Sequence, residues 1–191
     1  GPLALGEEMQ KFIHEIIGSP EPMGWDNQIG NELALQLTYE RNWRNLTSLG
    51  STALEVEATP HAGAALGNVF IYGSGGAMAR IGNDLRSDYG PPRIRPSMPG
   101  SDFFVPGKRI GWYLFLGVEG RAVARNIFLD GNTFKDSHSV DKNVLVGDIQ
   151  AGGAFTLQRV RLAFTYVFRS EEFVGQRRPD QFAALTFSVK I

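Results

Sequence analysis

Gln10 and His14 stand four residues apart in a stretch that reads as a helix, so their side chains share one face. An imidazole at the edge of a packed contact, half-shielded from water, has a tunable proton affinity and a restrained rotamer. The same position also suits a partly buried histidine that only hydrogen-bonds its surroundings, and the pair alone leaves both readings open. Two other groups could carry chemistry. His61 follows Pro60 in a Gly- and Ala-rich stretch that reads as a short turn. Asp130, Asn132, Asp136 and His138 offer oxygen and nitrogen donors in a polar loop. Asp-Gly-Asn is also ordinary turn chemistry, and the spacing is not that of an EF-hand. Gly73, Gly75 and Gly76 form no phosphate loop, because no lysine follows at the required place; they suit a bend or bulge in a strand.

The element that must position the first pair is a helix over Glu7–Ile17. Met9, Phe12, Ile13, Ile16 and Ile17 fall on one stripe, Glu7 and Glu8 occupy the first turn, and Gly18 with Pro20 stops the helix. It is too short to span a bilayer, so the stripe is expected to pack against a wall.

The wall is read from alternation. In Thr156–Arg169, Val160, Leu162, Phe164, Tyr166 and Phe168 oppose Arg159, Arg161, Thr165 and Arg169. Arginines so dense suit a wet or charge-paired lumen, and the aromatic face then suits lipid. Further strands are placed at Gln28–Trp43, Ser51–Thr59, Gly67–Gly82 (with Arg80 on the polar side), Lys108–Phe128, Asp141–Ala151 and Gln181–Ile191, with a tight turn at Gly152-Gly153. In the long strand Trp112, Leu114, Leu116, Val118, Ala122 and Ala124 oppose Glu119, Arg121 and Arg125. A Pro-rich loop fills Asn83–Gly107 and a polar loop Leu129–Val140. The fold class is therefore all-β: an antiparallel transmembrane β-barrel in one domain over residues 1–191, with one short extracellular helix near the N-terminus. With the C-terminus in the periplasm, the helix, His61 and Leu129–Val140 lie outside. Trp43 and Trp112 then join an interface girdle at the periplasmic edge, with Lys108 and Arg109 in its headgroup layer. Trp25 and the tyrosines are further girdle candidates.

Bulk properties narrow the function classes. A net charge of -1 carries no field that would recruit nucleic acid, and the absence of cysteine excludes disulfides and thiolate metal sites. No apolar run approaches a membrane helix, so the chain spans a membrane only through strands closed on themselves. An odd strand count and a start without Met or signal peptide suggest further chain upstream.

Gly6–His14, Gly18–Glu32, Pro60–Asn68, Asp88–Pro92 and Ile127–Phe134 follow one another in an order that resembles the outer-membrane lipid A 3'-O-deacylase family. The resemblance implies a barrel of about twelve strands, of which about seven are present here. It implies hydrolysis of the 3'-linked acyloxyacyl ester of lipid A at a calcium-dependent site between the barrel wall and the helix. His14 is then the general base that takes a proton from water, Gln10 positions a reactant, and calcium polarises the carbonyl. The implied partners are lipopolysaccharide and other outer-membrane lipids, with no nucleic acid, and the chain is expected to act as a monomer in the bacterial outer membrane. The sequence departs from the family in one respect. The family's Asn-Asp pair, hydroxyl residue and lysine lie on strands before the helix, and nothing precedes Gly1. The chain thus reads as the C-terminal two-thirds, expected to be inactive alone and unable to close a native barrel. A non-catalytic barrel, porous or structural, is the competing reading. A soluble lipid-binding barrel is a third, and it requires the Val160–Phe168 row to point inward.

Overall fold

The chain is described by a computed structural model over residues 6–21, 23, 25, 28–48, 54–91, 103–107 and 110–190. Parts of the expected elements, namely Ser51–Ala53, Pro92, Pro96, Pro99, Lys108, Arg109 and Ile191, lie outside the described residues. A helix, α1 (Gly6–Ile17), leads into strands β1 (Gln36–Asn42), β2 (Asn45–Ser48), β3 (Glu55–Gly67), β4 (Phe70–Asn83), β5 (Ile110–Asn126), β6 (Leu145–Leu157), β7 (Val160–Arg169) and β8 (Asp180–Val189). All pair antiparallel in one sheet of order β1-β3-β4-β5-β6-β7-β8, with β2 also on β3. β1 and β2 lie end to end along β3, so the eight strands fill seven positions.

The face assignment holds. Leu162, Phe164 and Phe168 are 43%, 49% and 37% exposed, whereas Arg161 is completely buried. On β5, Trp112, Leu114, Leu116 and Val118 are exposed while Tyr113, Phe115, Glu119 and Arg121 are buried. An apolar row running over this many strands is far larger than a water-facing surface tolerates, and hydrocarbon is the solvent that suits it. The soluble alternative, with the Val160–Phe168 row inward, is thereby excluded.

Three expected boundaries are corrected. Gly152-Gly153 is no turn: β6 runs on to Leu157, and the reversal falls at Gln158-Arg159, with Gln158 at φ 51°. The glycine at 152 answers a close approach instead, since a Cβ there would sit 2.0 Å from the Phe164 carbonyl oxygen. Arg159 consequently stands exposed in that turn and does not join the arginine row. Pro60-His61 is not a turn either, but the middle of β3. Pro60 has no N–H to give, and the neighbouring strand breaks at Trp43-Arg44, opposite Pro60 and Thr59. Trp43 N–H still donates to the Pro60 carbonyl at 2.9 Å. The first strand begins at Gln36 rather than Gln28; before it, Gly30 and Glu32 bond to Asn132, and the Leu33 carbonyl and Leu35 N–H bond to Asn68.

The buried face is layered. Near one end Ala65, Phe70, Tyr72, Val123 and Val146 pack together. At the other end Met78, Leu85, Tyr113, Phe115, Ala154 and Ala163 form a second cluster. Charges fill the space between. His61 Nε2 meets Glu119 Oε2 at 3.1 Å, and Asp148 accepts from Arg121 Nη1 at 2.8 Å and Arg169 Nε at 2.9 Å. Gly76 makes room for His61, whose Nε2 would lie 2.8 Å from a Cβ there.

A single 3-10 turn, Leu85–Ser87, carries Asp88 into the sheet's hollow. Asp88 accepts from Arg80 on β4 at 3.3 Å, from Arg161 on β7 at 3.1 Å and from the Tyr113 hydroxyl at 3.2 Å. In a flat sheet β4 and β7 would be about 14 Å apart. Two guanidiniums that reach one carboxylate therefore require the sheet to curl around residues 85–91. This segment meets one edge of the sheet, where Arg44 stacks over Tyr89 at 4.8 Å; residues 103–107, whose Phe104 bridges to Asp88, meet the other, where Lys190 stacks over Phe103 at 4.7 Å.

Candidate active site

The acidic first turn and the Gly18 stop give α1 the extent expected of it. The chain then turns back along the helix. His14 meets the Pro20 carbonyl at 2.6 Å, Lys11 pairs with Glu21 at 3.4 Å, and a Cβ on Gly6 would touch the Trp25 ring at 3.3 Å. Residues 18–21 and Trp25 thus form a strap alongside α1. The expected girdle role of Trp25 gives way to this packing. Lys11 also pairs with Glu7 at 2.8 Å, and hydrogen bonding to Glu7 and then Glu21 holds its ammonium above the usual lysine range.

Gln10 and His14 do share a face, with Gln10 exposed and His14 half-buried. The shielding of His14 has a different origin from the one expected. Met9, Phe12, Ile13 and Ile16 are all exposed, so the apolar stripe is not packed on the described strands. The strap, rather than the sheet, restrains the imidazole.

The strap's exit is pinned to the end of the sheet. Asn132 exchanges two hydrogen bonds with the Gly30 backbone, at 2.8 and 2.9 Å. The Glu32 carboxylate accepts from Asn132 Nδ2 at 2.8 Å, from Thr133 N–H at 2.9 Å and from Asn68 Nδ2 at 3.3 Å. Arg125 joins the same cluster through the Thr133 hydroxyl and the Asn68 carbonyl. Asn132, with Thr133 and the backbone N–H of Phe134, holds the Glu32 carboxyl at about 2. This clasp draws together the strap, the β3–β4 turn and the loop after β5, and so fixes the end of the sheet at which α1 stands.

The remaining candidates are not brought to α1. His61 is buried in the hollow against Glu119. Asp130 caps the Asn126 N–H at 2.8 Å and pairs with Lys142 at 2.7 Å, in the short helix α2 (Ile127–Asp130) and its flank. Asn132 is engaged in the clasp, while Asp136 and His138 are exposed beside it. Among the described residues no three His, Asp or Glu side chains converge on a point that could hold a metal. Calcium takes oxygens from amides and backbone carbonyls as well as from carboxylates, and it enters only as what the resemblance implies.

Three functional features escaped the sequence. The Pro20 carbonyl is backbone, although Gly18 and Pro20 were legible as a stop. Glu32 looked like one more polar residue of the first strand. Asp88 lay in a loop whose partners are 8 and 73 residues away.

Comparison with known proteins bears on all of this. The profile of a family described as outer membrane protein LpxR matches residues 1–191. Among solved structures the chain resembles LpxR from Salmonella typhimurium, with a TM-score of 0.77 and 24% identity. The match covers 99% of this chain and 62% of that one, so the chain spans less than two thirds of that relative's length. At that identity the likeness speaks for the fold alone. No curated protein matches the sequence.

Proposed function

The chain belongs to the LpxR family of outer-membrane proteins, and from that premise we propose that it forms part of a lipid A 3'-O-deacylase. The substrate is lipid A of lipopolysaccharide, and the bond broken is the ester to the 3'-linked acyloxyacyl group. The clasped end of the sheet, with α1, faces the outside of the cell, and the end filled by Asp88 faces the periplasm. The exposed apolar face then meets membrane lipid, and α1 stands where an ester in the outer leaflet can reach it. Trp112, exposed at the opposite end beside Asn83, fits the inner interface, whereas Trp43 lies opposite Pro60 in the middle of β3, away from that edge.

In this reading His14 takes a proton from water as the water oxygen attacks the ester carbonyl carbon. The ester C–O bond then breaks. The released fatty acid keeps the water oxygen, and the sugar oxygen leaves with the proton returned by His14. Gln10, one turn earlier on the same face, can hydrogen-bond the water or the ester and so hold them in line. The family's Asn-Asp pair, hydroxyl residue and lysine belong to this reading through the resemblance alone. The enzyme acts as a monomer.

Calcium belongs to this proposal through the resemblance alone, and no step above passes through it. Its test is chelation: EGTA is expected to abolish deacylation by the full-length protein, and added calcium to restore it. Undiminished activity in EGTA would remove calcium from the account.

The observation that carries the reading is that the two residues assigned to the chemistry share one face of α1, which contacts through Trp25, Gln28 and Gly30 link to Asn132 at one end of the sheet. A conducting barrel is the rival, and the seating of Asp88 across the hollow speaks against an open lumen. The test is His14→Ala in the full-length protein, read by mass spectrometry of lipid A. Retention of the 3' acyl groups is expected, and wild-type loss of them would exclude the enzyme.

A further inference from the structure

The turn after α1 is unusually constrained. Gly18 adopts φ 66°, and Ser19 N–H returns to the His14 carbonyl at 2.9 Å. Pro20 fixes its own φ and keeps Ser19 extended. The result is that the Pro20 carbonyl oxygen lies 2.6 Å from His14 Nδ1. A carbonyl oxygen only accepts, so Nδ1 carries hydrogen whenever this contact is made. In the neutral ring the lone pair is then on Nε2.

We infer that the Gly18-Ser19-Pro20 turn is a positioning element that holds His14 as the Nδ1–H tautomer and presents Nε2 as the proton acceptor. The geometry does for this histidine what a buried carboxylate does in many hydrolases: it chooses the tautomer and stops ring rotation. A backbone oxygen brings only a dipole, so the contact orients the ring without adding a second full charge beside it. The requirement for glycine at position 18 follows from its left-handed backbone. Nothing lies within 4 Å of a Cβ built there, so a side chain would meet backbone strain and no clash. Valine is poorly tolerated in that conformation, whereas asparagine adopts it readily.

The inference rests on the deacylase reading for its consequence, and the experiment separates the two. Full-length protein carrying ring-15N histidine is compared as wild type, G18V and G18N by 15N NMR and by kinetics on lipid A in mixed micelles. Heat-modifiable migration on gels shows that each barrel has folded. The wild type and Gly18→Asn are expected to show His14 with hydrogen on Nδ1 and a bare Nε2. Gly18→Val is expected to lose that signature and about tenfold or more in kcat, with KM little changed. A wild-type His14 with hydrogen on Nε2 would overturn the inference, as would a Gly18→Val protein with wild-type tautomer and kcat. An active His14→Ala protein would instead overturn the deacylase reading and leave the tautomer result standing.

Discussion

Arg161 and Asp88 are 73 residues apart in the chain, yet the guanidinium donates to the carboxylate at 3.1 Å inside the hollow of the sheet. Arg80 holds the same carboxylate from three strands away. Removing one partner of such a buried set leaves charge without compensation, which costs about 3–5 kcal/mol. Asp88→Ala is expected to lower stability by that order in guanidinium unfolding of the full-length protein. Arg86→Ala, which removes the exposed Arg86 from its pair with the half-buried Glu55 at 3.5 Å, is expected to change it by less than about 1 kcal/mol. Equal effects would mean that Asp88 is no structural bolt.

His14 and His61 divide cleanly between proposed chemistry and structure. His61 hydrogen-bonds Glu119 within the buried layer, whereas His14 stands on α1. His61→Ala strips a partner from Glu119, which still accepts from Arg121 at 3.3 Å. A stability loss of about 1–3 kcal/mol is expected, with kcat for lipid A within about twofold of wild type. A collapse of kcat in a folded His61→Ala protein would place chemistry in the hollow.

Glu32 gives the clasp a pH dependence of known sign. Its carboxyl is depressed from 4.5 to about 2 by the Asn132 amide and the Thr133 and Phe134 contacts. The folded state therefore binds this proton less tightly than the unfolded chain. The stabilisation is full above about pH 4.5 and disappears as pH falls toward 2. Wild type should exceed Glu32→Gln in urea midpoint at pH 6, and the gap should shrink as pH falls from 4.5 to 2. A gap that stays constant over that range would show that the carboxylate charge is not what holds the clasp.

Much of this architecture was readable because a membrane strand exposes its alternation on both faces: the row Val160 to Phe168 against Arg161 and Arg169 is unambiguous. The errors came where residue type pointed to a turn and tertiary packing decided otherwise. Gly152-Gly153 looked like a reversal, but Gly152 is needed where Phe115 and the Phe164 backbone crowd the strand. The real turn, Gln158-Arg159, carries no glycine or proline to announce it. Pro60 looked like a terminator, yet a strand can pass through proline where its neighbour breaks. Of the site, the Gln10–His14 spacing was visible in the helix period. The Pro20 contact was not, because a backbone oxygen has no residue type to read.

The most direct test is deacylation of lipid A by purified full-length protein, wild type against His14→Ala, matched for folded barrel. Loss of a general base should lower kcat by about 10²–10⁴-fold with the fold intact. A folded His14→Ala protein that releases the 3' acyloxyacyl group at the wild-type rate would contradict the account.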